Sequence, residues 1–583
     1  MAANNIATVV TNVTSSFVSN VTKPSVPTLP QPVDSGTPSV GFIVWGSALV
    51  FIMTPGLALF YSGLSRYNNA LSLMMLCMLA AAVVTVQYFL FGFSLAFSET
   101  GGPFIGDFNA GALNTLGAHA FPNTAPNIPS VSFMLFQMQF ATITAALIFG
   151  SVPERTRFGP AMIFVFFWTT FVYDFVAYWS WADHGWIRNF ACISQLYNTT
   201  ATPCFVGAYD FAGGGPVHIA SGFAGLAYCL ILGKRKRIHV EHHSLVNVMF
   251  GTGILWFGWF AFNGGSAGAA NTRAAMAATV TTIAAAMGGM TWTWMDYIWT
   301  RKMSALSFCS GVVAGLVAIT PASGFVAPWA AIVIGFITSV CCNGWCRAKR
   351  MVGLDDSFDA WSVHGVGGFL GNILAGIFAQ KWVALLDGTP IDGGWMEHNW
   401  IQVGYQLGSS AAIAAWSFCV SFILLFIINK IPGLHLRQSE QEELNGGDFT
   451  EMGEVAYMLV ISEDGADGID DTTLGVLKDG RRVSCGHVLS DPDRRVSTFS
   501  AGSHEKAEKR RKSLYSQGSS HNHGETKRKF SLGKNKDDRT ERRIHYAVEN
   551  EQTTPPPSYE MQLQSHRPQR ESRQMLYNNS EAI

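Results

Sequence analysis

Hydrophobic positions along this 583-residue chain gather into runs long enough to cross a bilayer, and polar positions gather into the gaps. The runs lie near residues 41–60, 71–97, 131–151, 160–181, 210–232, 246–262, 275–294, 304–320, 328–346, 360–380 and 402–430. A helix of about 20 apolar residues spans the hydrocarbon layer, and inside lipid the backbone must satisfy its own hydrogen bonds. The pattern predicts an all-α polytopic membrane protein with eleven transmembrane helices.

The charges divide the chain further. Of 79 Asp, Glu, Lys and Arg residues, 30 lie between 41 and 430 and 47 between 437 and 583, so the net charge of −1 averages two unlike regions. The divisions expected are an extracellular segment at 1–40, an eleven-helix membrane domain at 41–430, an ordered cytoplasmic tail at 431–460 and a disordered cytoplasmic tail at 461–583. With the N-terminus outside, the inner connections hold twelve basic residues (Arg66, Arg155, Arg157, Lys234 to Arg237, Arg301, Lys302, Arg347, Lys349, Arg350). The outer segments hold Lys23, Arg188, Arg273 and Lys381. That asymmetry sets the orientation by the positive-inside rule, with the C-terminus inside.

The same orientation puts the sequons at Asn12, Asn20 and Asn198 on the glycosylated side. Cys192 and Cys204 flank the last of these, where either a disulfide or two free thiols is chemically allowed. Residues 1–40 show no basic segment followed by an apolar stretch, so the first span is expected to act as the insertion signal.

Candidate chemistry sits inside the apolar runs. Val-His-x-x-x-Gly-Phe-x-Gly occurs at Val217-His218 to Gly225 and again at Val363-His364 to Gly371, in the fifth and tenth spans. An ionisable ring in hydrocarbon is costly, and two in matched settings indicate a shared task. Five crossings separate the spans, so they run in opposite directions, as in an inverted five-helix repeat followed by a final helix. Asp210, ahead of Gly213 to Gly215 and Pro216, is placed to cap the fifth span. Asp355, Asp356 and Asp359 read as capping and loop-fixing residues before the tenth, and Asp174 in the fourth as a helix-to-helix hydrogen bond.

Further motifs carry a resemblance. Pro55-Gly-Leu-Ala-Leu-Phe-Tyr-Ser-Gly63, Phe136-Gln-Met-Gln-Phe140 ending in Pro153-Glu154-Arg155, and Trp256-Phe-Gly-Trp259-Phe-Ala-Phe262-Asn-Gly-Gly-Ser266 occur in order. Asp355-Asp356 to His364-Gly and Leu434-His-Leu-Arg437 to Gly453-Glu454 complete the set. Over about residues 41–459 the chain resembles ammonium transporters of the Amt/Mep family, and in particular a fungal high-affinity permease with His at both pore positions. The resemblance implies a plasma-membrane homotrimer with one pore per subunit, carrying ammonium and using no cofactor. It assigns ammonium recruitment to Trp181, Phe136, Ser266, Asp210 and Trp259, a phenyl gate to Phe140 and Phe262, and a twin-imidazole relay to His218 and His364. It also implies that residues 434–459 pack beneath the pore.

Beyond residue 461 the composition is polar and charged. Ser497 and Ser513 follow basic residues as kinase substrates do, and Pro556-Pro557-Ser558-Tyr559 has the Pro-Pro-x-Tyr form read by WW domains, including those of ubiquitin ligases. No nucleic-acid partner is expected. Two other functions fit parts of the pattern: a sensor that transports and signals, and an intramembrane metalloenzyme using His218, His364 and an Asp. The second lacks a His-Glu-x-x-His helix.

Overall fold

The computed structural model describes residues 38–195, 204–237, 242–457, 474–476 and 482–484. The sequons at Asn12, Asn20 and Asn198 and the tail motifs at Ser497, Ser513, Pro556, Pro557 and Tyr559 lie outside the described residues.

Ten described helices are long and apolar enough to cross a membrane. In chain order they are α1 (Pro38–Leu64), α2 (Tyr67–Phe97), α3 (Ser130–Ser151), α4 (Phe158–Trp181), α5 (Gly214–Leu232), α6 (Leu245–Gly265) and α7 (Thr272–Thr300). After α8 come α9 (Pro328–Lys349), α10 (Trp361–Phe378) and α11 (Ile401–Lys430). The shorter α8 (Ala305–Ile319) occupies the expected eighth position. Fifteen residues reach about 22 Å, short of a 30 Å hydrocarbon layer. Its buried continuation through Thr320, Ala322, Ser323 and Val326 lies within protein, where non-helical backbone is tolerated at membrane depth.

The repeat is visible as packing. α1 lies along α6, and α5 crosses α10, so the corresponding first and last helices of the two halves are partners. The crossing is antiparallel. A methyl group on Gly222 would strike the backbone at Gly365, and one on Gly368 would lie 2.9 Å from Gly214 O and His218 Cβ. Residue numbers thus rise along one helix as they fall along the other, and only glycine permits the approach.

An ion network ties the helix ends together. Arg235 binds Asp355 through two nitrogens, at 3.1 and 3.0 Å, and Arg155 lies 3.7 Å from the same carboxylate. Burial pushes the pKa of Asp355 up, but the two guanidiniums outweigh it and hold the group below the usual carboxylate range. The chain from 431 docks on this surface. Arg157 N donates to Leu436 O (3.0 Å) and Gln438 N to Arg155 O (3.0 Å), forming a short antiparallel bridge. Arg437 donates to Leu232 O and Lys234 O, both at 2.7 Å, and pairs with Glu443 at 2.8 Å. Helix α12 (Glu440–Asn445) begins with a Ser439/Glu442 capping box. Past it, Asp448 accepts from Ser72 N (2.7 Å) and Leu71 N (3.2 Å), and Glu451 from Phe158 N (3.0 Å). The tail therefore supplies the acceptors that the first turns of α2 and α4 lack.

Within the stretch expected to be disordered, β1 (Leu474–Val476) and β2 (Arg482–Ser484) pair antiparallel, Leu474 opposite Ser484. Short strand pairs need few apolar residues and are poorly visible in composition.

Deleting residues 434–457 should abolish most transport in uptake assays normalised to surface protein, whereas truncation after Tyr457 should leave it nearly intact. Asp448→Ala, which removes an exogenous cap worth about 1 kcal/mol, should fall between them. Equal loss from both truncations would refute the docking role.

Candidate functional site

Each histidine of the repeated motif sits on a helix start built the same way. The Asp210 carboxylate accepts Gly213 N, Gly214 N and Gly215 N at 2.7, 2.8 and 2.7 Å, closing the open end of α5. Gly213 has φ +110, and a side chain there would press on Val217. Asp356 accepts Trp361 N and Ser362 N at 3.2 and 3.3 Å, closing α10. Burial pushes the Asp356 pKa up, yet Lys349 at 2.9 Å and the hydrogen bonds bring it below the usual carboxylate range. From each cap the chain enters a π-turn, Gly214–Ile219 or Trp361–Val366, which carries the histidine and leads into regular helix. π-turns are frequent at functional positions because they re-aim side chains.

The two rings meet inside the bundle. His218 Nδ1 and His364 Nδ1 are 3.2 Å apart, with ring planes 30° from parallel. One nitrogen donates and the other accepts, so the pair is held by a single proton between two neutral rings. His218 Nε2 has no partner in the protein and is buried. Around the rings lies a cavity of about 110 Å³ whose walls include Leu57, Ile143, Leu255, Val313 and Val363.

A stacked phenyl pair closes this cavity on one side. The Phe140 and Phe262 centroids are 4.1 Å apart at 22°. Phe262 lines the histidine cavity and Phe140 lines a separate vestibule of about 360 Å³, so the pair forms the wall between them. That vestibule is bounded by Trp181, Phe136, Asp210 and Ser266. The Trp181 ring stands edge-on to Phe140 at 6.1 Å, and its Nε1 donates to Asp210 O at 3.0 Å. Ser266 Oγ donates to Phe262 O at 2.8 Å, which leaves its lone pairs free to accept from a cation. On the other side, His242, Ser310, Ser357 and Asp359 line both the histidine cavity and a polar vestibule of about 550 Å³.

The structure thus gathers Trp181, Phe136, Ser266 and Asp210 at one mouth and places Phe140 and Phe262 beneath them. Trp259 is a correction. It does not line the Trp181 vestibule; it is buried deeper, stacked on His218 at 5.5 Å and 19°, with Nε1 donating to Thr320 Oγ1 at 3.0 Å. Seven residues separate it from Ser266, about 10 Å along α6, which carries it past the phenyl pair. Asp210 touches the vestibule, but its carboxylate is engaged by three amides. Two residues weighed only for local structure gain a place: Asp356 as the counterpart of Asp210, and Asp359, φ +59, between pore and vestibule. Asp-x7-His occurs at both Asp210-His218 and Asp356-His364, a repeat that was readable in the sequence. Cys192 and Cys204 are joined as a disulfide, Cα–Cα 6.4 Å. Among the described residues no group of three or more His, Cys, Asp or Glu is arranged to hold a metal ion.

A membrane bundle with two polar vestibules and a narrow apolar passage holding paired imidazoles is a transport protein for a small solute. The chain belongs to the Ammonium Transporter Family, whose profile matches residues 41–457. It is 46% identical over 443 residues to "Ammonium transporter 1" of Schizosaccharomyces pombe, covering 75% of this chain and 85% of that one. It is 44% identical over 433 residues to "Ammonium transporter MEP2" of Saccharomyces cerevisiae, covering 72% and 83%. The crystal structure of Candida albicans Mep2 superposes with a TM-score of 0.63 at 43% identity, covering 69% and 87%. Membership of this family supports ammonium transport across a membrane rather than an enzymatic reaction.

Phe262→Ala should breach the wall between vestibule and pore. Uptake should then either fall by more than about tenfold or become sensitive to potassium, read by competition in proteoliposomes. Trp181→Leu should instead raise the half-saturating ammonium concentration by about two- to fivefold, the loss of one cation–π contact of about 0.5–1 kcal/mol. Unchanged selectivity and rate in Phe262→Ala would remove the ring from the gate.

Proposed function

We propose that the protein is an electrogenic ammonium transporter that binds the cation at the Trp181 mouth, separates its proton, and passes ammonia through the apolar pore while the histidine pair relays the proton. The observation that carries this reading is the 3.2 Å Nδ1–Nδ1 contact of His218 and His364 inside a largely apolar cavity walled off by stacked phenyl rings. Trp181 and Phe136 offer ring faces and Ser266 an acceptor to a small cation. Taking that cation whole into the narrow passage costs many kcal/mol, whereas neutral ammonia enters cheaply and can hydrogen-bond to imidazole. Ammonium and potassium are close in size and charge, but only ammonium can shed a proton. Selectivity then follows from the chemistry of the ion rather than from its radius.

The relay needs both rings. Two adjacent imidazoles in an apolar site resist double protonation, so a proton entering one ring displaces the proton shared with the other. Asp359 and Ser310 border the exit from this cavity to the polar vestibule, where ammonia regains a proton.

The positive-inside bias supports placing the Trp181 mouth outside and the docked tail in the cytoplasm. The family resemblance supports a plasma-membrane homotrimer, with glycosylation at Asn12, Asn20 and Asn198. The motifs at Ser497 and Ser513 suit a kinase, and Pro556, Pro557 and Tyr559 a WW-domain ubiquitin ligase. A sensor-transporter role is a second reading, favoured by His at both pore positions.

The test is simultaneous current and labelled methylammonium uptake in proteoliposomes. One charge per substrate is expected, and uptake without current would overturn net ammonium transport. His364→Ala, which leaves His218 without its partner, should eliminate the current by about a hundredfold or more while the protein still reaches the membrane. His218→Glu should retain part of it with a shifted pH optimum, because reference values near 4.3 and 6.5 separate the two groups. Wild-type pH dependence in both variants would make the histidines packing residues.

A further inference from the structure

Asp174 interrupts α4 at full burial, away from the pore. Neither it nor Gln87, Tyr88 or Tyr173 lines either vestibule or the histidine cavity. Its Oδ2 accepts from Gln87 Nε2 on α2 at 2.7 Å, and the same amide donates to Thr170 Oγ1 at 3.1 Å. Among the described residues no Lys, Arg or His pairs with it. A buried carboxylate facing only a neutral amide lacks the positive charge that its burial demands.

Among the described residues four oxygens of these side chains have no hydrogen-bond partner: Asp174 Oδ1, Gln87 Oε1, Tyr88 OH and Tyr173 OH. All four residues are buried, and Tyr88 is close enough to Tyr173 and Asp174 for their charges to interact. A proton on Asp174 Oδ1 would find no acceptor in reach. None of the four bonds to another, and one shared cation would satisfy them together. Both helices also widen here, in the π-turns Tyr88–Gly92 and Thr169–Tyr173, a feature frequent at functional positions.

We propose that Asp174, Gln87, Tyr88 and Tyr173 form an occluded site for one dehydrated alkali cation, sodium or potassium, bridging α2 and α4 outside the ammonium pore. A carboxylate, an amide carbonyl and two phenolic oxygens are hard oxygen donors, and a single carboxylate balances one positive charge. The ion would fasten two helices whose first turns the tail also caps. The site is independent of the pore reading.

The test is thermal unfolding of the purified full chain in potassium, sodium or choline chloride at constant ionic strength. The wild type is expected to melt several degrees higher in one alkali salt than in choline, through binding to the folded state. Asp174→Asn should abolish the difference, and Trp181→Leu should keep it, which excludes the outer mouth. Tyr173→Phe should raise the half-saturating alkali concentration by about tenfold, the effect of one lost oxygen contact. Equal melting in all three salts would overturn the proposal. So would an identical alkali response in wild type and Asp174→Asn, or a protonated-carboxyl infrared band present in the wild type, absent from Asp174→Asn and indifferent to salt. If Asp174→Asn does not fold, unchanged half-saturation in Tyr173→Phe overturns it alone.

Discussion

The hydrogen bond between His218 and His364 depends on how closely α5 and α10 can cross. Side chains from opposite halves of the repeat must come within 3.2 Å deep in the bundle, and the backbones around them must nearly touch. Gly222 against Gly365, and Gly368 against Gly214, provide that approach. Each helix must also begin inside the protein, where its free amides would otherwise be stranded. Asp210 and Asp356 meet that demand, each eight residues ahead of its histidine. Glycines, caps and π-turns are therefore one solution repeated twice, and the ring pair is its product.

The surroundings follow from the same constraint. A neutral imidazole pair is stable in an apolar site only where bulk water is held back. Phe140 and Phe262 do this at one end by stacking rather than by sealing with polar groups. At the other end the cavity meets charged and hydroxyl residues directly. The passage is thus asymmetric, dry toward Trp181 and wet toward Asp359, although the fold that builds it is an inverted repeat. The asymmetry arises because α3 and α6 contribute phenylalanines at one end and the loop before α10 contributes Asp359 at the other.

Much of this was legible before the structure. Eleven apolar runs translate into helices because lipid leaves the backbone no other choice, and the duplicated histidine motif exposes the repeat. The phenyl pair and the members of the Trp181 vestibule follow from motif resemblance rather than from periodicity. What periodicity cannot resolve is depth along a helix: Trp259 and Ser266 share one motif, yet two turns place them on opposite sides of the phenyl wall. The brevity of α8 was hidden because hydropathy does not show where a helix ends inside protein.

The surface opposite Trp181 joins tail and pore through continuous bonding. Arg437 holds Glu443 and the carbonyls of Leu232 and Lys234 at the end of α5. The next residue, Arg235, grips Asp355, and its neighbour Asp356 caps the turn that carries His364. Every link is a charged group whose partners are fixed at both ends, so losing one leaves a buried charge uncompensated rather than a contact merely missing. A change at the tail is therefore felt first as a displaced guanidinium or carboxylate on the loop that sets α10. Spatial continuity alone does not make a switch; what it supplies is a mechanical reason for the tail to be part of the pore's support.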